Sequence, residues 1–347
     1  EIYTGEDTLS LHDALPIWRG ENHMNISFLL IINVLLMIFF FVVAYMAIKY
    51  FLNQIEKYPK ITLEEIYDSK KLRQKYGIEN IVNPRDFGFD YKEVAYKSGK
   101  IQLYGWLIEN KNSNKAIILS HGRGTNRLGV LRYLNLFKEL RLNEQYNIFI
   151  PDLRNSGKSD SSKTFMGYCF GQDIYHTMEM LNNDYKLSNF ILYGFSQGAI
   201  GSAIAAKFYN DQLRTKGIKI EKMILDSPVS NVKKKLKDDA RKRKVPKFIL
   251  SIVIRVFSIR VGGHLNKMHL AYLLRRIPTL LLQSKQDGAT PYGMLMGEYN
   301  ELSQNKNVVL KVFENGTHTR IYPDYVEEYT KTVSDFLNGN QKEEING

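Results

Sequence analysis

Past Pro84 the chain alternates short β-rich runs with stretches of helical character, the rhythm of an α/β protein with a mostly parallel sheet. Eight runs read as strands: FDYKEVAYK, IQLYGWLIE, KAIILSHG, NIFIPDLR, FILYGFS, KMILDSP, TLLLQSK and VVLKVFE. The first two are spaced as a hairpin at an antiparallel edge. The other six carry the continuous Ile, Leu and Val of strands buried on both faces. Ligands of open α/β sheets bind beyond the carboxyl ends of the strands, so the polar residues there are the candidates for chemistry.

Ahead of this pattern, residues 26–48 carry no charge. As a helix they would span roughly 34 Å, slightly more than the ~30 Å hydrocarbon layer of a bilayer. No basic segment precedes the run and no small-residue cleavage site follows, which favours a single membrane anchor (24–50) over a cleaved signal. Lys49, Lys57 and Lys60 follow the helix, so the positive-inside rule puts the remaining chain in the cytoplasm. Residues 8–17, TLSLHDALPI, are what a common sequencing adapter gives when translated in one frame. Residues 1–23 are therefore expected to be an artefact, with the native start at Met24. Residues 51–85 are polar; TLEEIYDSKKLRQKYGI opens with a Thr62-x-x-Glu65 capping box and predicts a stalk or docking helix. A globular domain over 86–338 and a frayed tail over 339–347 complete the division.

Composition narrows the field. Hydrophobic residues at 44% suffice for a buried core, and the single Cys169 excludes an intrachain disulfide. The net charge of +12 is concentrated in one place. Residues 231–276, between the sixth and seventh strands, hold fourteen Lys and Arg against two Asp, an excess equal to that of the whole chain. Basic residues alternating with FILSIVIRVF predict amphipathic helices, drawn either to anionic lipid or over the active site as a solvated cap. No interleaved aromatics or known module point to nucleic acid.

The strand ends supply the chemistry. After FILY comes Gly194-x-Ser196-x-Gly198, a nucleophile-elbow pattern, followed by the small-residue helix AIGSAIAAKF. Asp287 follows TLLLQSK and His318 follows VVLKVFE, each delivered to the same sheet edge as Ser196. Asp226, closing KMILD, is an alternative acid. His121, after KAIILS, reads as a buried brace; His264 and His269 lie in the basic insertion, and His176 in a helix. Asp152 to Ser159, DLRNSGKS, resembles the D-x-R-G-x-G-x-S turn with Asn155 in place of glycine, and Asn tolerates positive φ.

Together these four ordered motifs resemble the α/β-hydrolase superfamily over residues 86–338. The chain is similar to bacterial membrane-anchored hydrolases of the serine aminopeptidase-like and acylaminoacyl-peptidase-like branches. Residues 164–168 (TFMGY), followed by Asp173 opening a helix, share in that likeness. The resemblance implies a mostly parallel eight-stranded sheet flanked by helices, with the 231–276 insertion as a helical cap. It implies Ser196 as nucleophile, His318 as base, Asp287 as acid, and backbone N–H groups of Gln197 and Arg123 as the oxyanion hole, with no cofactor or metal. The substrate would be a small-molecule or lipid-like acyl compound, met at a membrane through residues 26–48 and the basic cap. An aminopeptidase-like activity and a non-catalytic binding protein on the same fold are the alternatives.

Overall fold

The computed structural model of the protein describes residues 26–339, apart from Asn80 and Ser303. The adapter-like stretch, the start at Met24 and all of the tail beyond Gly339 lie outside the described residues. The chain divides into two compact units, Glu1–Ala47 and Ile48–Gly347.

Eight strands make one sheet: β1 (Lys92–Ser98), β2 (Ile101–Ile108), β3 (Lys115–Ser120), β4 (Asn147–Asp152), β5 (Asn189–Phe195), β6 (Lys219–Asp226), β7 (Thr279–Ser284) and β8 (Val308–Phe313). Their order is β1-β2-β4-β3-β5-β6-β7-β8. The β1–β2 hairpin is antiparallel, β2 pairs antiparallel with β4, and every pairing from β4 to β8 is parallel. Strands β4 and β7 are buried along their whole length, as their unbroken apolar runs predict. Strand β8 differs: it is the sheet's last strand, and Val309 to Val312 are only half-buried because one side has no neighbour. The chain goes from β3 outward to β4, then back across β3 to β5. Connections after β3 and β5 thus diverge, and the crevice between those strand ends is where α/β sheets bind ligands.

The helices follow from local sequence. Helix α1 (Ile26–Glu56) has a most apolar 18-residue window of mean hydropathy 3.0, long and apolar enough to cross a membrane. The stretch expected to form one docking helix forms two, α2 (Leu63–Asp68) and α3 (Lys70–Tyr76). The Thr62–Glu65 capping box starts α2, and Ser69 breaks the run because its hydroxyl caps α3 by accepting from Leu72 N. Leu63, Ile66, Tyr76 and Ile78 enter the main apolar core, so this segment is docked rather than a free stalk.

Helices α4 (Tyr133–Glu139), α5 (Tyr168–Tyr185), α6 (Gln197–Phe208) and α7 (Asn210–Thr215) alternate with the central strands. The basic insertion folds as α8 (Val232–Lys242), α9 (Lys247–Arg260) and α10 (Leu270–Leu273). An Asn231–His269 bridge ties its two ends together. Helices α11 (Tyr292–Leu302), α12 (Ile321–Asp324) and α13 (Val326–Asn338) complete the fold. Asp173 does not open a helix as expected. It lies inside α5, buried, because its carboxylate takes Arg154 N at 3.0 Å and the Arg154 guanidinium at 2.6 Å.

Candidate active site

Strand β5 ends at Phe195, and Ser196 turns the chain into α6 with φ 52° and ψ −113°, a region side chains rarely occupy. Tight approach makes the flanking glycines necessary: a Cβ on Gly194 would sit 2.6 Å from Ala199 Cα. The turn is pinned from the next strand, because Ser196 N donates to Asp226 O at 3.0 Å.

The end of β3 packs against this elbow. A Cβ on Gly122 would lie 3.0 Å from Ser196 Cβ, so the loop carrying Arg123 passes directly beside the serine. His121 is fully buried, and its tautomer follows from its partners. Nε2 accepts from Leu153 N at 3.0 Å, so Nδ1 carries the proton and donates to Gly122 O at 2.8 Å. Burial pushes its pKa down, which keeps it a neutral brace. The Arg123 guanidinium donates to Gln54 O at 2.7 Å and lies over the Tyr58 ring. Tyr76 OH donates to Gly124 O at 2.9 Å, fixing the loop from α3.

The loops after β7 and β8 deliver Asp287 and His318 to the same edge. His318 Nε2 lies 2.8 Å from Ser196 Oγ, and His318 Nδ1 lies 2.8 Å from Asp287 Oδ2. A carboxylate only accepts, so Nδ1 donates to Asp287 and Nε2 is left to accept the serine proton. Asp287 Oδ1 also takes Ala289 N and Thr290 N, both at 2.8 Å, and Oδ2 takes Thr290 Oγ1 at 2.7 Å. Burial alone would raise this carboxyl; the hydrogen bond and charge of His318, with the Thr290 groups, outweigh it and hold the pKa below the ordinary aspartate value.

Asp226 does not touch His318 through any hydrogen bond. Its carboxylate accepts from Ser227 Oγ at 2.7 Å, Tyr329 OH at 2.7 Å and Tyr133 OH at 3.3 Å, and burial raises its pKa. The Asp226–Ser227 pair nevertheless reaches all three loops. Asp226 O takes Ser196 N, Ser227 O takes Thr290 Oγ1 at 3.2 Å, and Ser227 Oγ takes Thr319 N at 3.2 Å. Sequence reasoning missed Ser227 and Thr290; the one signal was that each lies within three residues of an aspartate at a strand end.

It also missed Glu56, the buried last residue of α1. Its carboxylate takes Arg260 of α9 at 2.5 Å and Lys163 at 2.8 Å, while its carbonyl takes Thr164 N at 2.6 Å. These contacts hold a strained segment: Phe165, Met166 and Gly167 have φ of 45°, 54° and 92°. Met166 Sδ accepts from the Gln197 side chain at 3.5 Å, so the segment abuts the residue after the serine. The remaining histidines pair elsewhere: His264 with Tyr168, His269 with Glu298, and His176 with Glu179. The DLRNSGKS turn is architectural. Asp152 takes the N–H groups of Arg127 and Lys158, each at 2.9 Å, and Asn155 has φ 64°. Among the described residues no three His, Cys, Asp or Glu side chains gather into a metal-binding group.

Residues 115–275 match the family model of the α/β hydrolase fold. The Pyrococcus furiosus esterase Pf2001 superposes with a TM-score of 0.57 at 25% identity, covering 74% of this chain and 94% of that one. An α/β hydrolase from Vibrio vulnificus gives a TM-score of 0.53 at 18% identity, covering 81% and 89%. The uncharacterized protein YqkD of Bacillus subtilis (strain 168) is 25% identical over 278 residues, 79% of this chain and 82% of that protein. With the strand order, the strained serine turn and these likenesses in agreement, the chain has the α/β-hydrolase fold.

Proposed function

We propose that the chain is a serine hydrolase that cleaves an ester or related acyl bond through an acyl-enzyme. The observation that carries this reading is the unbroken pair of 2.8 Å contacts from Asp287 through His318 to Ser196 Oγ. As His318 Nε2 removes the serine proton, Oγ attacks the acyl carbon and a tetrahedral oxyanion forms. The imidazolium then gives its proton to the leaving alcohol, and the C–O bond breaks. Water repeats the sequence on the acyl-enzyme and restores the serine. Asp287, ionised and buried, holds the Nδ1–H tautomer and stabilises the imidazolium. The N–H groups of Gln197, opening α6, and of Arg123, beside Ser196, are the oxyanion donors; each such donor is worth about 3 kcal/mol in the transition state.

Two observations favour an acyl ester over a peptide with a free amine. Resemblance to the Pf2001 esterase supports ester chemistry. Both acidic side chains of the cap are already engaged within α8, Asp238 by Arg241 and Lys242 and Asp239 by Lys235, leaving no free carboxylate there for an amine. Helix α1 supports a single-pass membrane anchor with the catalytic unit on the cytoplasmic side.

Fluorophosphonate labelling of the wild type and of Ser196→Ala tests the nucleophile. The wild type is expected to be labelled and the variant not; labelling that survives the substitution removes Ser196 from this role. A panel of acyl esters against aminoacyl amides then separates esterase from peptidase.

A further inference from the structure

Helix α9 is apolar on two faces. Ile249, Val253 and Phe257 point inward and are buried, and Phe257 meets Phe165 edge-on with ring centroids 6.0 Å apart. On the opposite side Phe248, Ile252 and Ile259 are 52%, 43% and 70% exposed. Positions 248, 252, 255 and 259 recur at the spacing of one helical stripe. Outside α1, only Val82 and Val326 are other large apolar side chains this exposed among the described residues. Three of these five exposed large apolar side chains beyond α1 therefore lie on one face of one helix.

The charge around that face is uncompensated. On α8 the cations are largely spent internally: Lys234 pairs with Glu298, Lys235 with Asp239, and Arg241 and Lys242 with Asp238. Lys247 and Arg255 on α9, and Arg243 and Lys244 in the turn before it, are exposed and form no ion pair among the described residues. Arg255 thus lies in the same helical stripe as the exposed Ile252 and Ile259, and Lys247 opens that helix. The far end of α9 is tied to the end of the apolar helix, since Arg260 pairs with Glu56, the last residue of α1. Eight residues separate Glu56 from position 48, where the uncharged run ends, about 12 Å of helix.

We infer that the outward face of α9 is a lipid-binding surface that lies in the headgroup layer of an anionic bilayer, with Ile252 and Ile259 in the acyl boundary and Lys247 and Arg255 on lipid phosphates. Charge complementarity selects this occupant over a second copy of the chain, whose own α9 would bring the same free cations face to face. Each cation near an anionic surface strengthens partitioning about fivefold, so neutralising two weakens it about 25-fold. The surface stands apart from the chemistry at Ser196.

The test uses the full chain in lipid nanodiscs, with an environment-sensitive fluorophore on Ile252→Cys or Ile259→Cys and, as control, on Lys111→Cys in the exposed turn after β2. Cys169 is buried with its thiol pushed up to about 11, so it resists labelling. In discs containing phosphatidylglycerol, the α9 labels are expected to shift blue and be quenched by spin-labelled headgroups, and Lys111→Cys not. Lys247→Gln with Arg255→Gln should abolish most of that quenching. Unquenched α9 labels in anionic discs, equal quenching in neutral discs, or a blue shift in detergent that grows with protein concentration would each overturn the proposal. No readout depends on turnover, so failure here leaves the nucleophile assignment where the fluorophosphonate experiment puts it.

Discussion

Replacing Ser227 by Ala removes one oxygen that joins the loop of His318 to the strand beneath it. Ser227 Oγ donates to Asp226 Oδ1 at 2.7 Å and accepts from Thr319 N at 3.2 Å. Asp226 keeps Tyr329 and Tyr133 on Oδ2, so Oδ1 loses its donor inside a fully buried site. Stranding a buried polar atom costs about 1–3 kcal/mol and a lost hydrogen bond about 1 kcal/mol, giving about 2–4 kcal/mol in all. For a domain of this size that lowers Tm by about 5–10 °C. Because Thr319 follows His318 directly, the imidazole loses a tether, and a displacement near 1 Å can cost about 100-fold in rate. We expect kcat on a short-chain chromogenic ester to fall about 10- to 100-fold with KM little changed. Ser227→Gly separates geometry from stability. Ser227 has φ 49°, so glycine relieves strain there and should recover part of the lost Tm while kcat stays low. A Ser227→Ala enzyme with wild-type kcat, whatever its Tm, refutes the tether.

Three further outcomes follow from the same contacts. Thr290→Val deletes the hydroxyl on Asp287 Oδ2 but keeps the backbone N–H. Asp287 is held below the ordinary value, so its stabilising contribution is complete above that value and lost as pH falls through its folded one; in the variant the acid-side loss of stability, followed by thermal melts across pH, should begin at higher pH. Gly122→Ala places a methyl 3.0 Å from Ser196 Cβ and 3.6 Å from its Oγ, which should cut kcat at least ~10-fold while Tm, followed by scanning calorimetry, changes by less than about 5 °C. Glu56→Gln removes the charge facing Arg260 and Lys163, whose side chains are partly solvated, so we expect a loss of about 2 kcal/mol and faster proteolysis in 163–167, checked by urea melts and limited digestion.

The strands were legible because parallel strands buried on both sides need uninterrupted Ile, Leu and Val, and the turns between them need polar or glycine residues. Ser196 was legible for a related reason: only small flanking residues let β5 and α6 meet, and that leaves a readable pattern. Thr62 and Asn155 were legible through backbone chemistry, as a capping box and as a residue that accepts φ 64°. Sheet order was not, since nothing local to β3 or β4 says that the chain steps outward and then back. Nor was the split at Ser69, where a cap inside an otherwise periodic stretch competes with helix continuation. Ser227, Thr290 and Glu56 escaped because their partners are remote in sequence: Glu56 meets Arg260 across 204 positions.

Backbone strain shows why the remote contacts matter to the chemistry. Phe165, Met166, Ser196, Ser227 and Thr319 all have positive φ, and all lie on the loops around the serine. Each such residue costs about 1–3 kcal/mol, so none of these loops would hold this shape alone. The opposing terms are the buried bonds they share: Asp226 O with Ser196 N, Ser227 Oγ with Thr319 N, and Glu56 O with Thr164 N. Strand β6 thus sets the positions of Ser196 and His318 at once, although it supplies neither of them. A change that only shortens or lengthens the β6 end by one residue would move Asp226 and Ser227 to opposite faces and release two loops together. Inserting one alanine after Leu225 should therefore abolish fluorophosphonate labelling even in preparations that retain native-like circular dichroism. The same insertion after Lys186, in the turn before β5, should leave labelling largely intact, because no contact to the site passes through that turn. Equal labelling of the two insertion variants would mean that β5 alone shapes the turn at Ser196.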